Sequence, residues 1–303
     1  MTIGIGAIGP KAGLAIFRAL EAAERVGEGS IGGFAVYRVI SSDGQIYTYT
    51  TQRGGSATLV TRGEATGGLP PQEALDAPVA ALISSGPDRP EPLERCIPGE
   101  TGIGLVTGHR IPMAPTKNKK PLNLEVLDLM RAGRTAPEAV KALMGDHPQI
   151  DAGIIAVDIK GNLGAQNSTR VLNRPDMMEV FREDRETGCK VAVFINEIHP
   201  KEAAVVAAAK CLQVLVGERE PDFEITVKTG IMVTLSDKDT ITIDDDYIAT
   251  AVTITDQTIL EGEQICVVPY INAKVIKGSG EVGHIISEPL TILKDGVIVD
   301  LVG

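Results

Sequence analysis

The chain has 303 residues, 43% of them hydrophobic, which is enough apolar material for one large domain or two domains with real cores. Its net charge of −11 argues against nucleic acid and anionic membranes as partners, because those surfaces attract basic proteins. Aromatic residues make up only 3% of the chain and tryptophan is absent, which disfavours stacking platforms for single-stranded nucleic acid.

Four widely spaced cysteines, at positions 96, 189, 211 and 266, form no Cys-x-x-Cys pair, so neither a zinc knuckle nor a disulfide scaffold is indicated. The N-terminus lacks a signal-peptide pattern, and no stretch approaches ~18 uninterrupted apolar residues. The aspartates between positions 237 and 246 lack the spacing of a calcium loop. We therefore expect a cytoplasmic protein without metal, cofactor or membrane partner, and leave homo-oligomer formation open.

The first residues carry a literal Gly-x-Gly-x-x-Gly pattern at Gly4, Gly6 and Gly9, followed by helical spacing over 13–26. This pattern is the fingerprint of dinucleotide-binding folds. That fingerprint needs a full strand before the first glycine and an acidic residue ~20 positions later, and the sequence offers neither. We therefore interpret the glycines as a tight turn.

A hairpin is predicted over 34–51, because strand-forming residues flank an Asp-Gly turn. The following segment, 67–100, is rich in proline and glycine, with one helix predicted at 72–84. A short buried strand is predicted over 102–106. Further on, a helix pair is predicted over 122–132 and 139–144, and Thr135 with Glu138 forms the capping-box pattern of the second helix.

A loop at the end of the 102–106 strand carries Thr107, His109 and Arg110, and such loops commonly hold functional groups. His109 could act as a base or an anion ligand. Thr107 and Arg110 beside it could bind substrate. The alternative, which we favour, is a histidine that faces solvent.

The segment 151–170 has the pattern of a second hairpin: an apolar run, a Lys-Gly-Asn turn and a second apolar run. It ends in five polar residues, from Gln166 to Arg170. Asn167, Ser168 and Thr169 could supply an oxyanion donor and hydroxyls, and Arg170 could clamp a carboxylate. Hydrogen bonding at the strand end is an equally good interpretation.

Beyond this hairpin, 173–186 is predicted to be an exposed connection that is partly helical, 190–197 a strand and 201–216 an alanine-rich helix. The character changes after position 221. Short strands are predicted at 224–227, 231–235, 240–243, 249–255, 264–271, 284–286, 290–293 and 297–302. The pattern therefore predicts an α/β domain over 1–220 and a smaller all-β domain over 221–303.

The segment from Gly153 to Thr169 resembles the paired strands that open the small subunit of glycosylasparaginases and isoaspartyl peptidases, of the N-terminal-nucleophile (Ntn) hydrolase superfamily. The segment 124–144 is similar to the helix pair before the cleavage site of those enzymes. The resemblance implies a layered αββα domain and a hydrolase that acts on a C–N amide bond of a small-molecule substrate. It covers roughly a tenth of the chain residue by residue.

The sequence departs from that family at the nucleophile. The family's threonine, released by self-cleavage, falls on Asp151, which has no hydroxyl, so we expect no cut there and only a substrate-binding role for Asp151. The family's second active-site threonine falls on Asn167. Thr2 is an alternative nucleophile, because removal of Met1 would expose an amine and a hydroxyl together. An activated water is another, and a non-catalytic ligand-binding or assembly protein is the rival hypothesis.

Overall fold

A computed structural model describes residues 1–27, 31–62, 65–217, 223–270, 273–285 and 288–302 of the chain. The chain divides into two compact units, Met1–Gly217 and Glu218–Gly303. The domain boundary predicted between 220 and 221 and the strand ends predicted at 271 and 286 lie outside the described residues.

The described part of the first unit contains helices and antiparallel strands. Its strands are β1 (Thr2–Ile8), β2 (Ala35–Ile40), β3 (Ile46–Thr51), β4 (Thr61–Arg62), β5 (Ala65–Thr66), β6 (Val79–Ser84), β7 (Gly99–Glu100), β8 (Gly104–Arg110), β9 (Ala152–Asp158), β10 (Leu163–Asn167), β11 (Met177–Glu183) and β12 (Lys190–Asn196). Its helices are α1 (Ala12–Val26), α2 (Gln72–Leu75), α3 (Leu122–Arg131), α4 (Ala136–Asp146), α5 (Thr169–Leu172) and α6 (Ala203–Leu215). None of the described helices is long and apolar enough to cross a membrane.

Two antiparallel sheets organise this unit. The larger has six strands in the order β11-β12-β1-β6-β2-β3, so β1 lies inside it, between β12 and β6. The smaller has four strands in the order β10-β9-β8-β7. The mixed α and β content agrees with the predicted fold class.

Three clusters of buried side chains hold these elements together. Helices α1 and α6 pack on each other and on one face of the six-stranded sheet. The other face of that sheet shares a second cluster with the inner face of the four-stranded sheet. Helices α3 and α4 pack on the outer face of the four-stranded sheet. The two sheets therefore bury each other's inner faces, and helices cover their outer faces.

The glycines of the Gly-x-Gly-x-x-Gly pattern serve this sheet contact. Gly4 and Gly6 lie within β1, so the prediction of a tight turn there is wrong, and only Gly9 is in a turn. A Cβ atom on Gly4 would lie 2.3 Å from the carbonyl oxygen of Gly108, and one on Gly6 would lie 2.5 Å from the Ile155 side chain. The two sheets approach so closely here that only glycine fits in β1.

Several elements were predicted correctly from local patterns. The hairpin over 34–51 is confirmed as β2 and β3, and the helix predicted over 13–26 is confirmed as α1. The helix pair is α3 and α4, and Thr135 and Glu138 form the predicted capping box. The hairpin over 151–170 is confirmed as β9 and β10.

Two further elements of the first unit were predicted wrongly. The helix predicted at 72–84 ends at Leu75, and the apolar run after Pro78 is the strand β6, which lies between β1 and β2. The segment 173–186 contains the edge strand β11 instead of a helix, because β11 pairs along its whole length with β12. For β6 the strand partners are distant in the chain, whereas β11 forms a hairpin with β12, the strand that follows it; in both cases the pairing decides the conformation.

The described part of the second unit contains strands and one short 3-10 helix. Its strands are β13 (Val233–Leu235), β14 (Thr240–Ile243), β15 (Ala249–Ile254), β16 (Glu263–Val267), β17 (Lys274–Lys277), β18 (Gly280–His284), β19 (Leu290–Lys294) and β20 (Val297–Val302). They form a five-stranded and a three-stranded sheet around one apolar cluster. The hairpin of β17 and β18 was not predicted. Asp244 lies in the turn between β14 and β15, where its carboxylate accepts from two backbone amides.

Candidate functional site

The strand ends of the two sheets bring polar residues together at one end of their shared interface. In the six-stranded sheet, Thr2 begins β1 directly opposite Asn196, which ends β12. In the four-stranded sheet, Gly153 stands opposite both His109 and Asn167. Because Gly4 contacts Gly108, the start of β1 lies beside the end of β8.

His109 is fully buried between the sheets, so the favoured prediction of a solvent-facing loop histidine is wrong. The reason is that β8 runs from Gly104 to Arg110, so the predicted loop is strand and His109 points inward. Its Nε2 and Oδ1 of Asn167 are 2.6 Å apart, and its ring centre lies 5.4 Å from that of Phe194. A Cβ atom on Gly153 would lie 1.9 Å from Oδ1 of Asn167, so glycine leaves room for this pair.

The pKa of His109 is lowered to about 4, mainly by burial and also by the charge of Arg110, against the raising effects of Asn167, Asn196 and Asp151. His109 is therefore neutral at pH 7. Since Oδ1 of Asn167 can only accept, the ring proton is on Nε2, and Nδ1 carries a lone pair.

At this end of the interface, two buried acceptors have no hydrogen-bond donor among the described residues: Nδ1 of His109 and Oδ1 of Asn196. Asn196 lies close enough to raise the pKa of His109, yet two acceptors cannot share a hydrogen bond while the ring is neutral. Both side chains are at most 1% exposed, so bulk water does not satisfy them. Unpaired buried acceptors favour the binding of a group that carries N–H or O–H donors.

The amide nitrogen of Asn167 donates to Oε2 of Glu179 at 2.7 Å. Glu179 belongs to the edge strand β11 and is exposed. A hydrogen-bonded series therefore connects buried His109, through Asn167, to a carboxylate at the surface. This series fixes which way the Asn167 amide points.

A partly buried ion pair lies next to the histidine. Nε and Nη2 of Arg110 donate to the two carboxylate oxygens of Asp151, at 2.5 and 2.9 Å, and the two side chains are 15% and 17% exposed. The hydrogen bond from Arg110 is the main reason why the pKa of Asp151 lies below its usual value. Arg170 approaches the same carboxylate at 4.0 Å.

Glu197 receives the charges at the start of β1. Its Oε2 lies 2.9 Å from the α-ammonium of Met1, and its Oε1 lies 2.9 Å from Arg174 and 3.8 Å from Arg110. The Met1 ammonium is the main reason why the pKa of Glu197 is lowered. Glu197 and Arg110 have φ angles of 53° and 61°, an unusual conformation for residues other than glycine that recurs at functional sites.

The other predicted residues have different surroundings. Ser168 caps α5, because its hydroxyl donates to Ile150 and accepts from Val171. The Thr107 hydroxyl donates to the carbonyl of Leu82 and so joins the two sheets. Thr169 and Arg170 are exposed on α5. Of the predicted set, the structure brings together at the same end of the sheet interface Thr2, His109, Arg110, Asp151, Asn167 and, through its contact with Asp151, Arg170.

Sequence reasoning missed Asn196, Glu197 and Glu179. The first two stand at the end of the strand predicted over 190–197, and a polar strand end of this kind is the same signal that indicated Asn167 at the end of β10. Glu179 could not be found in this way, because β11 was predicted to be a connection.

The model of a family described as a domain of unknown function, DUF6963, matches residues 2–223 of the chain. A second such model, DUF7259, matches residues 230–303. No curated protein matches the sequence.

Proposed function

The chain belongs to the DUF6963 family, and we propose that it is a hydrolase that cleaves a C–N amide bond of a small molecule, with Thr2 as its nucleophile. One observation carries this proposal. The hydroxyl-bearing residue Thr2 is only 3% exposed and begins an interior strand at the point where His109, Asn167 and Asn196 meet.

The packing order of the first unit supports an Ntn-type fold. A helix pair, a six-stranded sheet, a four-stranded sheet and a second helix pair follow one another through three apolar clusters. That order corresponds to the αββα layering implied by the resemblance of the segment from Gly153 to Thr169. In such a layering the strand β1 gives Thr2 a fixed position at the rim of the sheet interface.

The mechanism requires Thr2 to become the first residue. Its free amine takes the proton of its own hydroxyl, and the hydroxyl oxygen attacks the amide carbon of the substrate. The C–N bond breaks, the leaving amine takes the proton, and an ester on Thr2 remains. Water then hydrolyses the ester, which gives a carboxylic acid and restores the hydroxyl.

The neighbouring amides stabilise the reacting groups. Asn196 stands across from Thr2, where its side-chain N–H can donate to the negative oxygen that forms during attack. His109 is neutral and holds Asn167 in place, so it acts as a positioning residue rather than as the base. The amine of Thr2 supplies the base.

A second candidate function, ligand binding without catalysis, is favoured by Asp151. This residue stands where the resembling enzymes have their nucleophile, and its carboxylate is engaged by Arg110. A protein that retains the fold but only binds would explain that replacement. The two candidates differ in whether Thr2 is needed for turnover.

The test measures amine release from a panel of small amides by purified protein whose N-terminus is established by intact-mass spectrometry. We expect a single chain that lacks only Met1, activity that is lost in Thr2→Ala, and activity that is retained in Thr2→Ser. Thr101→Ala, an exposed threonine elsewhere in the unit, is the matched control and should behave like the parent protein. Full retention of Met1, or an active Thr2→Ala variant, would exclude the proposed nucleophile. The absence of turnover with every amide would favour ligand binding.

A further inference from the structure

Three acceptor groups lie near the start of β1. The carboxylate of Glu197 lies beside Met1. Asn196, whose Oδ1 is unpaired, is the residue that pairs with Thr2 between β12 and β1. The unpaired Nδ1 of His109 lies close to Asn196. A ligand that satisfies these groups must carry several N–H donors, and a positive charge would complement Glu197.

Met1 shows what such a ligand looks like. The Met1–Thr2 peptide is an amide whose acyl part carries an α-ammonium group, and that ammonium lies 2.9 Å from Oε2 of Glu197. The Met1 carbonyl carbon is bonded to the nitrogen of Thr2. That nitrogen is bonded to the Cα atom of Thr2, which carries the side chain with the hydroxyl group. Met1 thus stands in for the acyl group that Thr2 would carry during turnover.

The carboxylate that holds this ammonium is itself held in position. Arg174 donates to Oε1 of Glu197 at 2.9 Å, and Arg110 approaches the same oxygen at 3.8 Å. Arg110 in turn is fixed by two hydrogen bonds to Asp151. Asp151 stands at the position of the nucleophile in the resembling enzymes. In this chain it instead holds Arg110 near the carboxylate of Glu197.

From these contacts we infer that the substrate is an amide of an α-amino acid, and that Glu197 binds its ammonium group. The inference rests on the proposed function. When Met1 is removed, Oε2 of Glu197 loses its ammonium partner and can accept from the ammonium group of a substrate. Thr2 attacks the amide carbon, the amine leaves with a proton, and water hydrolyses the aminoacyl ester to a free amino acid.

The experiment compares alaninamide with propionamide, which has the same carbon skeleton but no amine. A charge-assisted hydrogen bond contributes about 1.5–3 kcal/mol, so kcat/KM should be roughly 10- to 150-fold higher for alaninamide. In Glu197→Gln that ratio should fall towards one, because the substrate's ammonium group loses its carboxylate partner. Glu73→Gln, at an exposed glutamate on α2, is the matched control and should keep the parent ratio.

The outcomes separate the two proposals. Equal kcat/KM for the two amides, with turnover that still requires Thr2, would overturn the substrate assignment and leave the amide hydrolase standing. A ratio that survives Glu197→Gln would overturn the role of Glu197. The absence of turnover with both amides and with the wider panel would overturn the proposed function itself.

Discussion

The burial of His109 predicts a specific loss of stability in mild acid. His109 is neutral in the folded protein because its pKa is lowered from 6.5 to about 4, mainly by burial. In the unfolded chain the histidine returns to its ordinary pKa and binds a proton more readily. Between these two values the unfolded state therefore holds more protons than the folded state, and stability rises with pH.

The size of the effect follows from the shift. Each unit of pKa difference corresponds to 1.36 kcal/mol, so the difference between 6.5 and about 4 is worth about 3 kcal/mol. Above pH 6.5, His109 is neutral in both the folded and the unfolded state, and the free energy of unfolding is not reduced by this residue. As the pH falls from 6.5 towards 4, the unfolded chain takes up the proton and the free energy of unfolding falls. Because the side chain is fully buried, screening by solvent does not reduce the figure.

The assay measures the free energy of unfolding of the first unit in urea at several pH values between 4 and 7, for the parent protein and for His109→Gln. Carboxylates contribute to the acid dependence of both proteins, so the difference between the two curves isolates the histidine. The free energy of unfolding should fall more steeply in the parent, by about 3 kcal/mol over this range. His199→Gln, at an exposed histidine, should follow the parent curve.

Parallel curves for the parent protein and His109→Gln would refute the reasoning. They would mean that the ring does not change its protonation on unfolding in this range. His109 would then be either accessible to water or already protonated in the folded state, and the description of Nδ1 as an unpaired acceptor would fail with it.

Four further predictions concern packing, capping, the exposed arginine and domain structure. Gly153→Ala should lower the free energy of unfolding by about 1–3 kcal/mol, because the new Cβ would collide with Oδ1 of Asn167; an unchanged urea midpoint would contradict that contact. Thr135→Ala removes the cap of α4 and should cost about 1 kcal/mol in the same assay. Arg170→Ala, at a side chain 58% exposed, should leave the melting temperature within a degree or two in thermal-shift measurements, so a large drop would reveal a structural ion pair. Limited proteolysis should cut first within 217–223 or in the exposed connection 86–92, and a first cut within β9 or β10 would contradict the proposed domain structure.

The amino-acid sequence by itself determined the elements whose signals are local. The capping box at Thr135, the hairpin turns before β3 and between β9 and β10, and the spacing of α1 all lie within a few residues of the structure that they specify. The sequence also placed polar residues at the end of β10. Turn residues and helix caps act between neighbours in the chain, so the elements that they specify can be predicted without the tertiary structure.

Only the tertiary structure decided which of the candidate residues meet. β6 is a strand because β1 and β2 flank it, although neither partner is near in sequence. His109 is buried because the inner faces of two sheets close over β8, and the sheets can close because Gly4 faces Gly108. Asn196 reaches Thr2 through a strand pairing that spans most of the first unit. Such long-range pairings depend on the whole apolar core, so no local pattern encodes them.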